Sequence, residues 1–125
     1  MSKKILVLDD DDDLREVLCL TLESEGYETV NFSCPREAAD FLADQNPSDL
    51  PAMVMVDYVL PGLNGLDFIR EAKARLRNTF GKAVFVLNTG RQFSAKELLK
   101  ENILLLEKPV SLDDLFGLVH TYCEG

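Results

Sequence analysis

The chain holds 125 residues, 46% of them hydrophobic and 28% charged, with only 7 Gly and 5 Pro. That composition gives one folded domain with a buried core and excludes a disordered or low-complexity polymer. Lys and Arg number 13 against 22 Asp and Glu, a net charge of -9, which repels nucleic-acid phosphates and anionic lipid and favours divalent cations or basic partners.

The predicted elements alternate. Residues 5–8, right after Lys3 and Lys4, form a short aliphatic run, too brief for a signal-peptide core or a membrane span. It reads as a first strand, ending at five consecutive aspartates, Asp9 to Asp13. Leu14, Val17, Leu18, Thr21 and Leu22 then recur at helical spacing, with Gly26 as the stop. Asp11 to Asp13 read as a solvated acidic run at this helix's N-terminus, with Asp12 or Asp13 as its cap. A weaker second strand covers 28–32. Pro35 opens a second helix carrying Ala38, Ala39, Phe41 and Leu42.

Residues 52–56 make a third strand, followed by a helical stripe of Leu66, Phe68, Ile69, Ala72 and Leu76. A fourth run spans 83–87. Ser94 with Glu97, and Ser111 with Asp114, have the capping spacing that opens a fourth and a fifth helix. Between them lies a fifth strand at 103–106. Continuous aliphatic runs of four or five residues mark strands covered on both faces. Phe68, Phe80 and Phe85 read as packing residues. His120 is read as a structural residue. Cys19, Cys34 and Cys123 lack metal-ligand spacing and read as reduced thiols, in keeping with a cytoplasmic protein.

Five β-α units imply an α/β fold, a doubly wound parallel sheet with right-handed crossovers and helices on both faces. In such a sheet function gathers at the carboxyl ends of the strands. The first strand ends in Asp9-Asp10, the third in Asp57, the fourth in Asn88-Thr89-Gly90, and the fifth in Glu107-Lys108-Pro109. Three carboxylates, a hydroxyl and an ammonium therefore converge on one rim. Clustered carboxylates repel unless a cation or a proton is present. A hard ion such as Mg²⁺, bound by oxygen, meets that need. One carboxylate can then attack phosphorus to give an acyl phosphate.

Three segments carry a resemblance: Lys4-Ile-Leu-Val-Leu-Asp9-Asp10-Asp11, then Val54-Met-Val-Asp57-Tyr-Val-Leu-Pro61-Gly-Leu-Asn-Gly65, then Lys108-Pro109. In this order and at these separations the chain resembles the receiver domain of two-component response regulators. The resemblance covers essentially the whole of residues 1–125, read as a single receiver with no output domain following it. It implies the flavodoxin-like, CheY-like fold: five strands in the order 2-1-3-4-5 and five helices. It also implies Asp57 as phosphoacceptor, Asp10 as a Mg²⁺ ligand with Asp9 close by, and the Val59 carbonyl as a further ligand. Lys108 pairs with the acids and the phosphoryl group, and Pro109 aims it. Pro61 and Gly65 shape the turn into the third helix. The implied partners are a histidine kinase or histidine phosphotransfer protein, and a downstream protein target or fused output domain. Direct nucleic-acid contact and membrane insertion are not implied.

The sequence departs from that pattern in two places. The strand-four hydroxyl falls at Asn88 or Thr89, depending on where the strand ends; Thr89-Gly90 fits better. Either choice leaves a short stretch before Lys108, so the fourth helix or its flanking loops should be shortened or displaced. Leu105 stands where an aromatic residue is common. Two other functions compete. A phosphatase resembling the haloacid-dehalogenase family wants a second Asp where Val59 stands. A non-phosphorylated interaction domain would have no need of Asp9, Asp10 and Asp57 together. Nucleotide-binding glycine motifs are absent from the sequence.

Overall fold

The computed structural model describes residues 3–76 and 83–123. Phe80, expected as a packing residue, lies outside them. Five parallel strands form the sheet: β1 (Lys4–Leu8), β2 (Glu28–Phe32), β3 (Met53–Asp57), β4 (Val84–Thr89) and β5 (Ile103–Glu107). Their spatial order is β2-β1-β3-β4-β5. The order reverses beside β1, so the carboxyl ends of β1 and β3 open onto one crevice.

Five helices cover the two faces: α1 (Asp12–Ser24), α2 (Pro35–Asp44), α3 (Gly65–Leu76), α4 (Ala95–Lys100) and α5 (Leu112–Cys123). Alternate residues along each strand point to opposite faces. Ile5, Val7, Met53, Met55 and Val86 therefore pack with Leu18 and Leu22 of α1 and Leu115 and Val119 of α5. Leu6, Leu8, Val54, Val56, Phe85 and Leu87 pack instead with Ala38 and Leu42 of α2, Ile69 of α3 and Leu98 of α4. Burial on both sides is why β1, β3 and β4 read as aliphatic runs, whereas β2 at the sheet edge, ETVNF, has exposed Glu28 and Asn31.

Helix ends follow the local chemistry. Gly26, at φ 92°, turns the chain out of α1 in a conformation that side chains with a Cβ resist. Ser94 Oγ accepts from the Glu97 N–H at 3.2 Å, and Ser111 Oγ from the Asp114 N–H at 3.3 Å. Helix α4 is only six residues long, the shortening expected from the brief stretch before Lys108.

Two expectations for α1 are corrected. Its cap is Asp11, whose side chain accepts from the Leu14 N–H at 3.1 Å; Asp12 and Asp13 sit in the first turn. The end of β1 at Leu8 fixes where the helix can begin, which a run of identical acids could not reveal. Val17, placed on the buried stripe by its spacing, is 57% exposed. The apolar arc of α1 is wider than the sheet beneath it, and Leu18, Cys19 and Leu22 take the buried positions.

Candidate functional site

Strand β1 delivers Asp9 and Asp10 to the crevice, and β3 delivers Asp57. One carboxylate oxygen from each lies within 4.8 Å of the others. Asp9 and Asp57 are buried, at 1% and 4% exposure, while Asp10 faces solvent. Asp9 is held by its backbone and its side chain alike. Its N–H donates to the Phe32 carbonyl at 3.1 Å, and its Oδ1 accepts from the Asp11 N–H at 2.9 Å. Its Oδ2 is buried with no hydrogen-bond partner among the described residues. Burial raises the Asp9 carboxyl above the usual carboxylate range; the Asp11 N–H opposes that rise, and the Asp57 charge adds to it.

Lys108 follows β5, and its Nζ lies 2.7 Å from Asp57 Oδ1. The Lys108–Pro109 peptide is cis. Burial alone would lower the Lys108 ammonium. The hydrogen bond and charge of Asp57, with the charges of Asp9 and Asp11, outweigh it and raise the group above its ordinary value. A single ammonium against three acids leaves the crevice short of positive charge. The donor set is all carboxylate oxygen, one buried oxygen is unpaired, and Asp10 opens to water. Those features fit Mg²⁺, a hard ion that keeps several waters and takes few carboxylates.

The backbone after Asp57 is packed tightly. The Gly65 N–H donates to the Tyr58 carbonyl at 2.7 Å. A Cβ on Gly65 would stand 2.1 Å from the Asp57 carbonyl oxygen, so only glycine lets α3 start against the acid. Val59–Leu60 and Leu63–Asn64 form a short antiparallel ladder, closed by Gly62 at φ 73°. Asn64 secures the start of α3, its Oδ1 accepting from the Asp67 N–H at 2.8 Å. Sequence reasoning had assigned Asn64 no task, although Asn just before a helix is a capping signal.

A model of the response regulator receiver domain family matches residues 5–120. The chain belongs to that family. Receiver domains generally bind Mg²⁺ at an acidic pocket and act as phosphoacceptor switches served by histidine kinases; here Asp9, Asp10 and Asp57 form the acidic cluster. The phosphate regulon transcriptional regulatory protein PhoB of Escherichia coli (strain K12) is 33% identical over 73 residues, 58% of this chain and 30% of that protein. The DNA-binding response regulator MtrA of Mycolicibacterium smegmatis is 35% identical over 74 residues, covering 59% of this chain and 31% of that protein. The chain thus spans less than a third of these relatives' length over the matched region. A response regulator receiver protein from Pseudomonas putida, solved by crystallography, has a TM-score of 0.81 at 27% identity, covering 97% of this chain and 98% of that one.

Within this receiver the end of β4 is distinctive. Asn88, not Thr89, stands in register with Asp57, while Thr89 is in register with Glu107. The pleat puts Asn88 in the same row as Val84 and Val86, on the α1 and α5 face. Thr89 falls in the opposite row, after Leu87, and its Oγ1 accepts from the Arg91 N–H at 2.9 Å. Asn88 Oδ1 is buried with no hydrogen-bond partner among the described residues. Val59 opens the short ladder with its side chain 62% exposed. Leu105 packs in the core with Leu87 and Phe85. No described helix is long and apolar enough to cross a membrane.

Proposed function

We propose that this receiver accepts a phosphoryl group from a phosphohistidine onto Asp57, in the cytoplasm, and signals by protein contact. The observation that carries the proposal is the meeting of Asp9, Asp10 and Asp57 oxygens within 4.8 Å, beside an ammonium 2.7 Å from Asp57. Lys108 occupies Asp57 Oδ1, which leaves Oδ2 as the attacking atom. A bond forms between Oδ2 and phosphorus as the phosphorus–nitrogen bond breaks, and its electron pair returns to the imidazole of the donor. Asp10, Asp57 and the Val59 carbonyl, with Asp9 close behind, would hold Mg²⁺, which supplies positive charge against the phosphoryl oxygens.

The residues of the chain do the rest. Lys108 neutralises the acid in the resting state and turns to the phosphoryl oxygens after transfer. Asn88, in register with Asp57, donates its amide N–H to a phosphoryl oxygen in place of a hydroxyl. Roughly two added negative charges draw both groups toward Asp57 and shift the domain between two populated states. The donor is a histidine kinase or a histidine phosphotransfer protein, and the receiver of the signal is a protein target or a fused output domain. The names of PhoB and MtrA attach those relatives to transcription and DNA binding, which favours an output of that kind. The phosphatase reading gains no support, because Val59 stands where a second acid is needed.

Beryllium fluoride with Mg²⁺ mimics the acyl phosphate and tests this reading without a kinase. Amide spectra of the wild type should shift around Asp57, Asn88 and Lys108, and Asp57→Asn should give no response. A wild-type spectrum unchanged by the pair would overturn the proposal.

A further inference from the structure

Arg15 lies on the first turns of α1, its side chain only 16% exposed, and it takes no part in the transfer described above. Its guanidinium reaches three elements. Nε donates to Asn31 Oδ1 on β2 at 3.0 Å, Nη1 to the Asp9 carbonyl at 2.8 Å, and Nη2 to Asp12 Oδ1 at 2.7 Å. The Asp9 carbonyl belongs to the peptide that joins Asp9 to Asp10. Holding it fixes the plane of that peptide, and with it the direction in which both acids leave the backbone.

We infer that Arg15 is a positioning residue for the acidic crevice, acting through the Asp9 carbonyl. The inference rests on the Mg²⁺-dependent phosphoacceptor reading and deepens it. Three carboxylates crowded within 4.8 Å repel one another, and the segment after β1 could relieve the repulsion by rotating the Asp9–Asp10 peptide. Three hydrogen bonds oppose that rotation: Asp9 N–H to Phe32, Asp11 N–H to Asp9 Oδ1, and Arg15 to the Asp9 carbonyl. Arg15 supplies the only one that comes from a side chain outside the loop. Its contact is also chosen well for the task. A guanidinium bound to the carboxylates would compete with a metal ion, whereas one bound to the carbonyl leaves those oxygens free. The planar fork serves Asn31 from Nε and the carbonyl from Nη1 at a fixed spacing, a geometry that a single ammonium does not reproduce.

The test is a MgCl₂ titration of the whole chain followed by amide shifts at Asp57, with unfolding measured separately in the absence of metal. Arg15→Met should weaken Mg²⁺ binding about tenfold, the scale for residues that orient metal ligands without touching the metal. Asp12→Asn, which removes the ion pair but leaves the carbonyl contact, should stay within about twofold of wild type. Arg15→Lys should fall between Arg15→Met and wild type, and it carries the comparison if Arg15→Met does not fold. Wild-type affinity in the Arg15 variants overturns the inference, as does an equal loss in Asp12→Asn. A fall in unfolding stability with no change in affinity assigns Arg15 to the fold alone, which also overturns it. Asp10→Ala runs alongside: if it too binds Mg²⁺ like wild type, the site reading itself fails and takes the role of Arg15 with it.

Discussion

Lys108 Nζ meets Asp57 Oδ1 at 2.7 Å across an intervening strand, since β4 lies between β3, which carries Asp57, and β5, which leads into Lys108. The lysine passes the end of β4, where its backbone N–H donates to the Thr89 carbonyl at 2.9 Å. The Nζ contact gives the buried Asp57 side chain a partner without metal. Replacing Lys108 with Gln should cost about 1–3 kcal/mol of stability in metal-free urea unfolding, the usual penalty for a buried group left unpaired. Added Mg²⁺ should recover part of that loss. Uptake of a phosphoryl group from acetyl phosphate should slow about a hundredfold.

Asp9→Asn should raise metal-free stability at neutral pH. The Asp9 pKa is raised above its ordinary 3.8, with burial as the main cause. A raised carboxyl holds its proton more tightly in the folded state. Its contribution is therefore fully present below 3.8 and is lost as pH rises through the raised value. At neutral pH the buried Asp9 carboxyl works against folding, relative to acid pH. Thermal unfolding without metal should show the Asn variant about 3 °C higher, equivalent to roughly 1 kcal/mol in a domain of this size. The gap should narrow as pH falls toward 3.8, and saturating Mg²⁺ should close or reverse it.

Gly65→Ala reads the backbone behind the acid. The new methyl would stand 2.1 Å from the Asp57 carbonyl oxygen and 2.8 Å from its carbon. Backbone atoms cannot swing aside as a side-chain tip can, so α3 must move away from β3. We expect a loss of about 2–3 kcal/mol in urea unfolding. The Mg²⁺ affinity should fall as well, because Asp57 shifts with its own peptide.

Asn88 and Thr89 separate by mutation. Asn88→Ala should shorten the lifetime of the Asp57 phosphate or weaken beryllium fluoride binding by about tenfold, the worth of one hydrogen bond to a charged group. Thr89→Ala should leave both within about twofold, because Thr89 Oγ1 serves the Arg91 N–H. Asn88→Thr, which restores a hydroxyl in register with Asp57, should recover most of the loss. Equal effects from Asn88→Ala and Thr89→Ala would contradict the register argument.

Much of this was legible in the chain. Strands β1, β3, β4 and β5 each lie within two residues of their aliphatic runs, because burial leaves few polar positions to blur the signal; β2, with Glu28 and Asn31 exposed, gave the weaker signal. The convergence of Asp9, Asp10, Asp57 and Lys108 followed from strand parallelism alone. What stayed hidden depended on single-residue register. Asn88 and Thr89 differ only in which face of β4 they occupy, and pairing with β3 settles that. The cap of α1 depended on which of the five aspartates after Leu8 accepts from the helix, and that is Asp11. Arg15 carried no signal in the sequence, since nothing in its spacing shows a guanidinium folding back onto a strand end. Val17 went astray because helical periodicity gives the direction of an apolar face and not the width of the surface that will cover it.

In the proposed function Asp57 is the acid that takes the phosphoryl group. Intact mass after incubation with acetyl phosphate and Mg²⁺ tests it most directly. Wild type should gain the mass of one phosphoryl group, lose it on treatment with hydroxylamine, and gain none when Mg²⁺ is chelated; Asp57→Asn should gain none under any condition. Unchanged wild-type mass, or equal labelling of Asp57→Asn, would contradict the account.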